Sequence, residues 1–258
     1  MFIHRRREQN RVDLQPNTPE WDFIVSHLAQ YWTPEQICGR WELLYPECKK
    51  LCIATIYRAI KSKIFPKIKA KEHLRRRDKH RCHQSSIYNT IHPDRIIPEW
   101  IDEIKQRARI GDWEGDTVYG GVGKGLLVTL VDRKTRFLCA GLIQSRSSTE
   151  TRNMIETLLK DMPVKSISLD NGSEFSEFRE LEQTLNTEVY FAEPHKPWQR
   201  GTNENTKDIL RFFYPKGYNF HSLDNETLQN IVLSINLRPK KCLGWKSPFE
   251  AFFSVALA

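Results

Sequence analysis

The chain reads as an α/β protein: a mixed sheet with helices on both faces, preceded by a small helical domain. Three observations predict this. Helix-start signals and helical apolar spacing fill the first sixty residues. From Ile110 the apolar spacing becomes that of strands. After the third strand, strands alternate with amphipathic helices. Charge divides at the same place. Residues 1–109 carry 22 Lys and Arg against 13 Asp and Glu, whereas residues 110–258 carry 18 against 19. The window 49–82 alone holds 13 basic and 2 acidic residues. A basic front joined to a near-neutral back is the charge pattern of a nucleic-acid grip attached to a working domain. A solvated lysine-rich linker is the plainer reading of the same run.

Length and composition set the outer limits. A chain of 258 residues holds one or two domains with a sizeable core. No apolar run approaches the roughly 18 residues of a membrane span. The basic start at Arg5-Arg6-Arg7 has no apolar stretch after it, so it does not read as a secretory signal. Six cysteines, at 38, 48, 52, 82, 139 and 242, are scattered without a CxxC pair. That is the pattern of reduced thiols in a cytosolic protein and suits no common zinc module.

The elements follow in order. Residues 1–17 read as an irregular arm. Thr18-Pro19 is an N-cap with proline at the first helical position, and Phe23, Ile24, His27, Leu28 and Tyr31 line the helix. Thr33-Pro34-Glu35-Gln36 is a capping box opening a second helix lined by Ile37, Trp41 and Leu44. A third helix from about Ile53 has Ile53, Ile56, Tyr57 and Ile60 on one face. Thr55, Arg58 and Ser62 lie on the opposite face, with Lys61 at its edge. Three helices with a basic exposed face fit a helix-turn-helix, so Thr55, Arg58 and Lys61 are candidate DNA contacts. A basic stretch with weak periodicity follows.

Gly111 to Val118 alternates, which puts Asp112, Glu114 and Asp116 on one strand face. Three like charges on one face repel unless solvated or bound to metal. Leu126–Val131 and Phe137–Ile143 complete an antiparallel meander. A capping box at Ser147 and Glu150 opens a helix, and a strand over Val164–Leu169 ends at Asp170. A helix marked by Phe178, Leu181 and Leu185, a short strand at Val189–Phe191, a helix from near Thr202 and a last helix over about 223–236 close the order. This βββ-α-β-α-β-α succession is that of a ribonuclease-H-like fold. In it the middle of the first strand, the end of the fourth and the helix after the fifth are neighbours.

Asp116, Asp170 and Glu204 occupy those three places, with 33 residues between the last two. Converging carboxylates hold hard divalent cations, and two such cations can clamp one phosphate for in-line displacement. Each acid alone has a plain alternative. Asp170-Asn171-Gly172 has the composition of a tight turn, Glu204 suits a helix N-terminus, and Asp116 suits a surface strand.

Four stretches carry a resemblance: Trp113-Glu114-Gly115-Asp116-Thr117, Leu169-Asp170-Asn171-Gly172-Ser173-Glu174-Phe175, Pro197-Trp198-Gln199-Arg200-Gly201-Thr202-Asn203-Glu204-Asn205 and Asn236-Leu237-Arg238-Pro239-Lys240-Lys241-Cys242-Leu243-Gly244-Trp245. Together they resemble the DDE transposases of the IS30 insertion-sequence family. The spacing of Asp170 and Glu204 matches that family, and Tyr31–Ile37 and Thr55–Arg58 resemble its helix-turn-helix region. The resemblance implies binding of terminal inverted repeats, cleavage at the element's ends and joining of a 3′-hydroxyl to target DNA. Asp116, Asp170 and Glu204 would carry Mg²⁺, with Mn²⁺ able to substitute. Arg200, Asn203, Lys207 and Arg211 would contact DNA near the site.

The expected division is an incomplete helix-turn-helix region at 1–63, a basic linker at 64–109 and an integrase-like catalytic core at 110–258. The expected partners are double-stranded DNA and at least one further copy of the chain, since two ends must be brought together. No membrane partner is expected, and the expected place is the prokaryotic cytoplasm, at the nucleoid. The family usually begins with a further helical DNA-binding segment, so the resemblance also implies an N-terminally truncated copy. Its alternative role is that of a catalytically impaired remnant that only binds DNA. Cys52 stands where a Ser or Thr cap would better open the third helix.

Overall fold

A computed structural model describes residues 14–74, 95–97, 100–193 and 201–256. The chain forms two compact units, Met1–His83 with Arg238–Ser247, and Gln84–Leu237 with Pro248–Ala258.

The first unit contains helices α1 (Pro19–Ala29), α2 (Pro34–Leu44) and α3 (Ile53–Lys61) and a short α4 (Ala70–His73). Thr18 caps α1 by accepting the Trp21 N–H, with Pro19 at the first position. Thr33 and Gln36 form the full capping box of α2. Its core gathers Ile24, Leu28, Trp32, Ile37, Ile56, Ala59, Ile60, Phe65 and Ile68. Phe65 and Ile68 fall within the stretch read as linker, yet they are buried. Four residues expected on apolar faces are exposed instead: Tyr31, Leu44, Ile53 and Tyr57. Ala59 takes the inward place on α3, because the buried arc of that helix is centred on Ile56 and Ile60. Tyr31 lies beyond the end of α1 at φ 63°. The segment Arg238–Ser247 packs within this unit. Gln36, already the capping-box partner, donates its Nε2–H to Pro239 O at 2.9 Å. Arg40 donates to Trp245 O at 3.2 Å, and Lys241 pairs with Glu35 at 3.2 Å. Gly39 lies flush against the Trp245 ring, where a Cβ would overlap the indole.

The second unit holds α5 (Asp102–Lys105), β1 (Asp112–Tyr119), β2 (Leu126–Asp132), β3 (Leu138–Ile143), α6 (Ser148–Leu159), β4 (Ser166–Leu169), α7 (Phe178–Leu185), β5 (Glu188–Phe191), α8 (Gly201–Phe213), α9 (Asn225–Asn236) and α10 (Pro248–Ala256). The sheet order is β3-β2-β1-β4-β5. The first three strands are antiparallel, and β4 and β5 run parallel to β1. The meander joins neighbours by short turns, whereas each parallel pairing needs a helical crossover, and that is why α6 and α7 stand where they do. One face buries Trp113, Val128, Leu130, Ile167, Leu169 and Phe191 against Ile155, Leu159, Phe178, Leu181 and Phe252. The other buries Val118, Leu127, Val131, Leu138 and Ala140 against Ile209, Leu210, Leu228, Val232 and Ile235. Every residue of β2 is buried, as expected of a strand covered on both sides. Residues 95–109, also expected as linker, contribute a side cluster in which Ile97, Trp100 and Ile104 meet Tyr190 and Ala192. Ile96 bridges Phe191 beyond β5. Among the described residues no helix is long and apolar enough to cross a membrane.

Candidate active site

The even-numbered residues of β1 face the side covered by α8 and α9, since Val118 belongs to that cluster and Trp113 to the other. Asp112, Glu114 and Asp116 therefore point towards α8. Sequence reasoning expected solvation or metal to relieve their repulsion. For the first two the structure gives a different answer: both are fully buried and paired. Asp112 accepts Arg109 Nε at 3.1 Å and Ser166 Oγ at 2.7 Å. Glu114 accepts from Arg133, itself buried and stacked over the Trp100 ring at 3.9 Å. Its other oxygen accepts the Asn203 backbone N–H at 3.1 Å. Asn203 is the third residue of α8, so its N–H has no partner within the helix. Glu114 thereby docks the positive end of α8 onto β1. Arg136 adds a bond to Thr202 Oγ1 at 2.6 Å.

Asp116 is nearly buried. Its Oδ1 accepts the Thr117 N–H at 2.8 Å, and the Lys207 ammonium stands 3.2 Å from Oδ2. Asp170 follows directly on β4 and accepts the Gly172 N–H at 3.0 Å. The parallel pairing of β1 with β4 runs from Asp112↔Ser166 to Glu114↔Ser168, a constant offset of 54 residues. Asp170 stands 54 residues after Asp116, so continuing that register two residues past its last pair brings the middle of β1 level with the residue that follows β4. Glu204 is exposed in the first turn of α8. Among the described residues no group of three or more His, Cys, Asp or Glu side chains is gathered at ligand distance. Asp116 and Asp170 are level on adjacent strands, and Glu204 is turned to solvent.

Of the residues expected to contact DNA, Arg200 lies outside the described residues. Asn203 is buried, and among the described residues neither polar atom of its side-chain amide has a hydrogen-bond partner. What it offers is a backbone N–H to Glu114. Lys207 and Arg211 follow Glu204 at helical spacing, three and seven residues on. Arg211 donates to Tyr119 O at 2.8 Å, and burial pulls its pKa below the usual arginine range while Asp116 draws it back up. In the helical unit Arg58 and Lys61 are exposed on α3, and Arg58 Nη2 donates to Thr55 Oγ1 at 3.3 Å. Cys52 caps α3 without a side-chain hydrogen bond. The exposed Tyr57 shares that surface and was not expected there.

Sequence reasoning left Arg133, Arg136, Arg146 and Glu174 without a part. Glu174 had a faint signal, as the last acid in the motif that opens at Asp170.

The sheet order and the helices on both faces are those of a ribonuclease-H-like integrase core. Residues 106–197 match the family model described as integrase core domain. The chain is 36% identical to a probable transposase for the insertion-like sequence element IS1161 of Streptococcus salivarius, over 62% of this chain and 47% of that protein. It is 30% identical to transposase InsI for insertion sequence element IS30A of Escherichia coli (strain K12), over 92% and 65%. It is also 30% identical to the transposase for insertion sequence element IS4351 of Bacteroides fragilis, over 96% and 77%. The chain belongs to the IS30 family of DDE transposases. It spans about half to two thirds of the length of the first two relatives.

Proposed function

We propose that this protein cleaves DNA at the ends of an insertion sequence and joins the freed 3′-hydroxyl to target DNA, with Asp116, Asp170 and Glu204 as its metal-holding acids. The observation that carries the reading is the register of β1 and β4, which, continued two residues past its last pair, sets Asp116 level with Asp170 just past the carboxyl end of β4, where ligands of open α/β sheets bind. The donor set suits a hard divalent cation, Mg²⁺ or Mn²⁺, since it is made of carboxylate oxygens. Asp116 already draws a cation, the Lys207 ammonium, to its carboxylate. When bound, divalent metal would activate the attacking oxygen and stabilise the leaving one.

The chain's own residues supply the rest. Lys207 and Arg211 present positive charge along the α8 face that carries Glu204, where they attract phosphate. Glu114 holds the start of α8 against β1, and so limits how far Glu204 can move. Thr55, Arg58 and Lys61 of α3 present a polar and basic face for the inverted repeats, within a helical region that grips DNA while the sheet unit cuts it. The partner is double-stranded DNA. Joining two element ends calls for at least two copies of the chain, and in this reading the protein acts on the DNA of a prokaryotic cytoplasm.

Asp116→Asn and Glu204→Gln test the reading. Nicking of a supercoiled plasmid carrying element ends should fall at least about a hundredfold in Mg²⁺, since several kcal/mol of charge stabilisation are lost. Folding and DNA binding should persist. Nicking by Glu204→Gln at the wild-type rate would overturn the assignment.

A further inference from the structure

Glu174 is an acid without a part in the chemistry just described. It stands four residues after Asp170, is 3% exposed, and both its oxygens accept hydrogen bonds. Oε1 accepts the Thr117 hydroxyl at 2.9 Å. Oε2 accepts Arg146 Nε at 3.0 Å and Nη2 at 2.6 Å. Thr117 is the β1 neighbour of Asp116 and donates its backbone N–H to that carboxylate. Arg146 lies in the connection from β3 to α6. One carboxylate therefore ties together the strand beside Asp116, that connection and the loop that starts at Asp170. Gly172 sits in the middle of the tie. A Cβ there would collide with Glu174 Oε2 and come within 2.9 Å of Asp170 Oδ1, so a side chain at 172 would have to push the carboxylates out of this arrangement.

The place of this tie matters. The ladder between β1 and β4 ends at Glu114↔Ser168. Asp116 and Asp170 lie two residues beyond it, where strand-to-strand backbone pairing no longer fixes their separation. The Thr117–Glu174 bond restores a cross-link at that level. It does so on the opposite sheet face from Asp116, because successive strand side chains point to opposite sides.

We propose that Glu174 is a positioning residue that clamps the Asp170 loop to β1 through Thr117, with Arg146 neutralising it, and so sets Asp116 and Asp170 for a shared divalent cation. The inference rests on the metal reading above. Glu174 itself stays out of the cation's shell, since both its oxygens are spent on Thr117 and Arg146. Groups that orient a metal ligand from behind are typically worth about 10–100-fold in metal affinity or activity.

The test is Mn²⁺ binding to the full chain without DNA, followed by electron paramagnetic resonance, with circular dichroism and melting to establish folding. Thr117→Val removes the hydroxyl and keeps the branched shape. Glu174→Gln keeps an acceptor for Thr117 and loses the charge facing Arg146. Both should bind Mn²⁺ about tenfold or more weakly, and raising Mn²⁺ should restore much of the nicking rate. Should Glu174→Gln fail to fold, Thr117→Val carries the test. A folded Thr117→Val with wild-type Mn²⁺ affinity overturns the proposal, whether Glu174 is then a direct ligand or a bystander. Asp116→Asn separates the two levels. If it keeps wild-type Mn²⁺ affinity, the metal reading falls and this inference with it. If it loses Mn²⁺ while Thr117→Val does not, only the inference falls.

Discussion

Glu114 shows what a single residue's position can hide. Spacing alone puts it on one face with Asp112 and Asp116, and that much was legible. Its partners were not, because Arg133 lies 19 residues on and the Asn203 N–H 89 residues on. Only the folded sheet brings them together, so three similar acids take up different states. Two are buried and neutralised by arginine, and one is left beside a lysine. A second buried group gives a residue-scale prediction. His27, in the last turn of α1, donates Nδ1–H to Phe23 O at 2.7 Å and lies between the Phe23 and Trp32 rings. Burial, opposed by that hydrogen bond and aided by the Arg40 charge, holds its pKa below 6.5. Between the unfolded value and the lower native one, the unfolded chain binds the extra proton. The stabilisation is therefore complete above about pH 6.5 and is lost as pH falls through the native value. The melting temperature of the helical unit should drop from pH 7.5 to 5.5 more in the wild type than in His27→Gln. Parallel curves would show that His27 is not the titrating group.

At the scale of elements, caps were the most legible feature and faces the least. Thr18-Pro19 and Thr33–Gln36 each announced a helix whose start the structure bears out, because capping is a local hydrogen-bond geometry written in four residues. Which side of α3 is buried depends on neighbours far along the chain, and there Ile53 and Tyr57 turned out exposed and Ala59 buried. The stretch read as a linker shows the same limit. Its weak periodicity concealed Phe65 and Ile68, which pack into the core of the helical unit, and Ile97, Trp100 and Ile104, which form a side cluster of the sheet unit. The motif at Arg238–Trp245 was visible as a resemblance, but its packing within the helical unit was not, since no local pattern points from residue 245 to residue 39. That packing is testable. Gly39→Ala puts a methyl into the Trp245 ring and must displace it, whereas alanine is otherwise the better helix former. Overpacking of this kind costs about 1–3 kcal/mol. The variant should melt earlier and be cut sooner near residue 245 by a protease. A higher melting temperature would mean that the indole is not held against α2.

At the scale of the molecule the governing quantity is the distribution of charge. The excess of nine positive charges in residues 1–109, against a deficit of one in the remainder, was legible from composition alone. The sheet unit has its own cations near the candidate site, but Arg133, Arg109 and Arg146 are committed to Glu114, Asp112 and Glu174. Phosphate neutralisation should accordingly be dominated by the basic half. Each phosphate contact releases condensed counterions, and the slope of log K against log salt steepens by about 0.9 per contact on duplex DNA. Arg58→Ala and Lys61→Ala, both at exposed positions of α3, should each make that slope shallower by roughly one unit. Lys207→Ala should change it less in the absence of divalent metal, because its ammonium already faces Asp116 and has little free charge to give. Anisotropy titrations of a labelled duplex at several salt concentrations measure all three slopes. If the α3 variants keep the wild-type slope while Lys207→Ala flattens it, DNA is gripped by the sheet unit, and the helix-turn-helix reading of α1 to α3 fails.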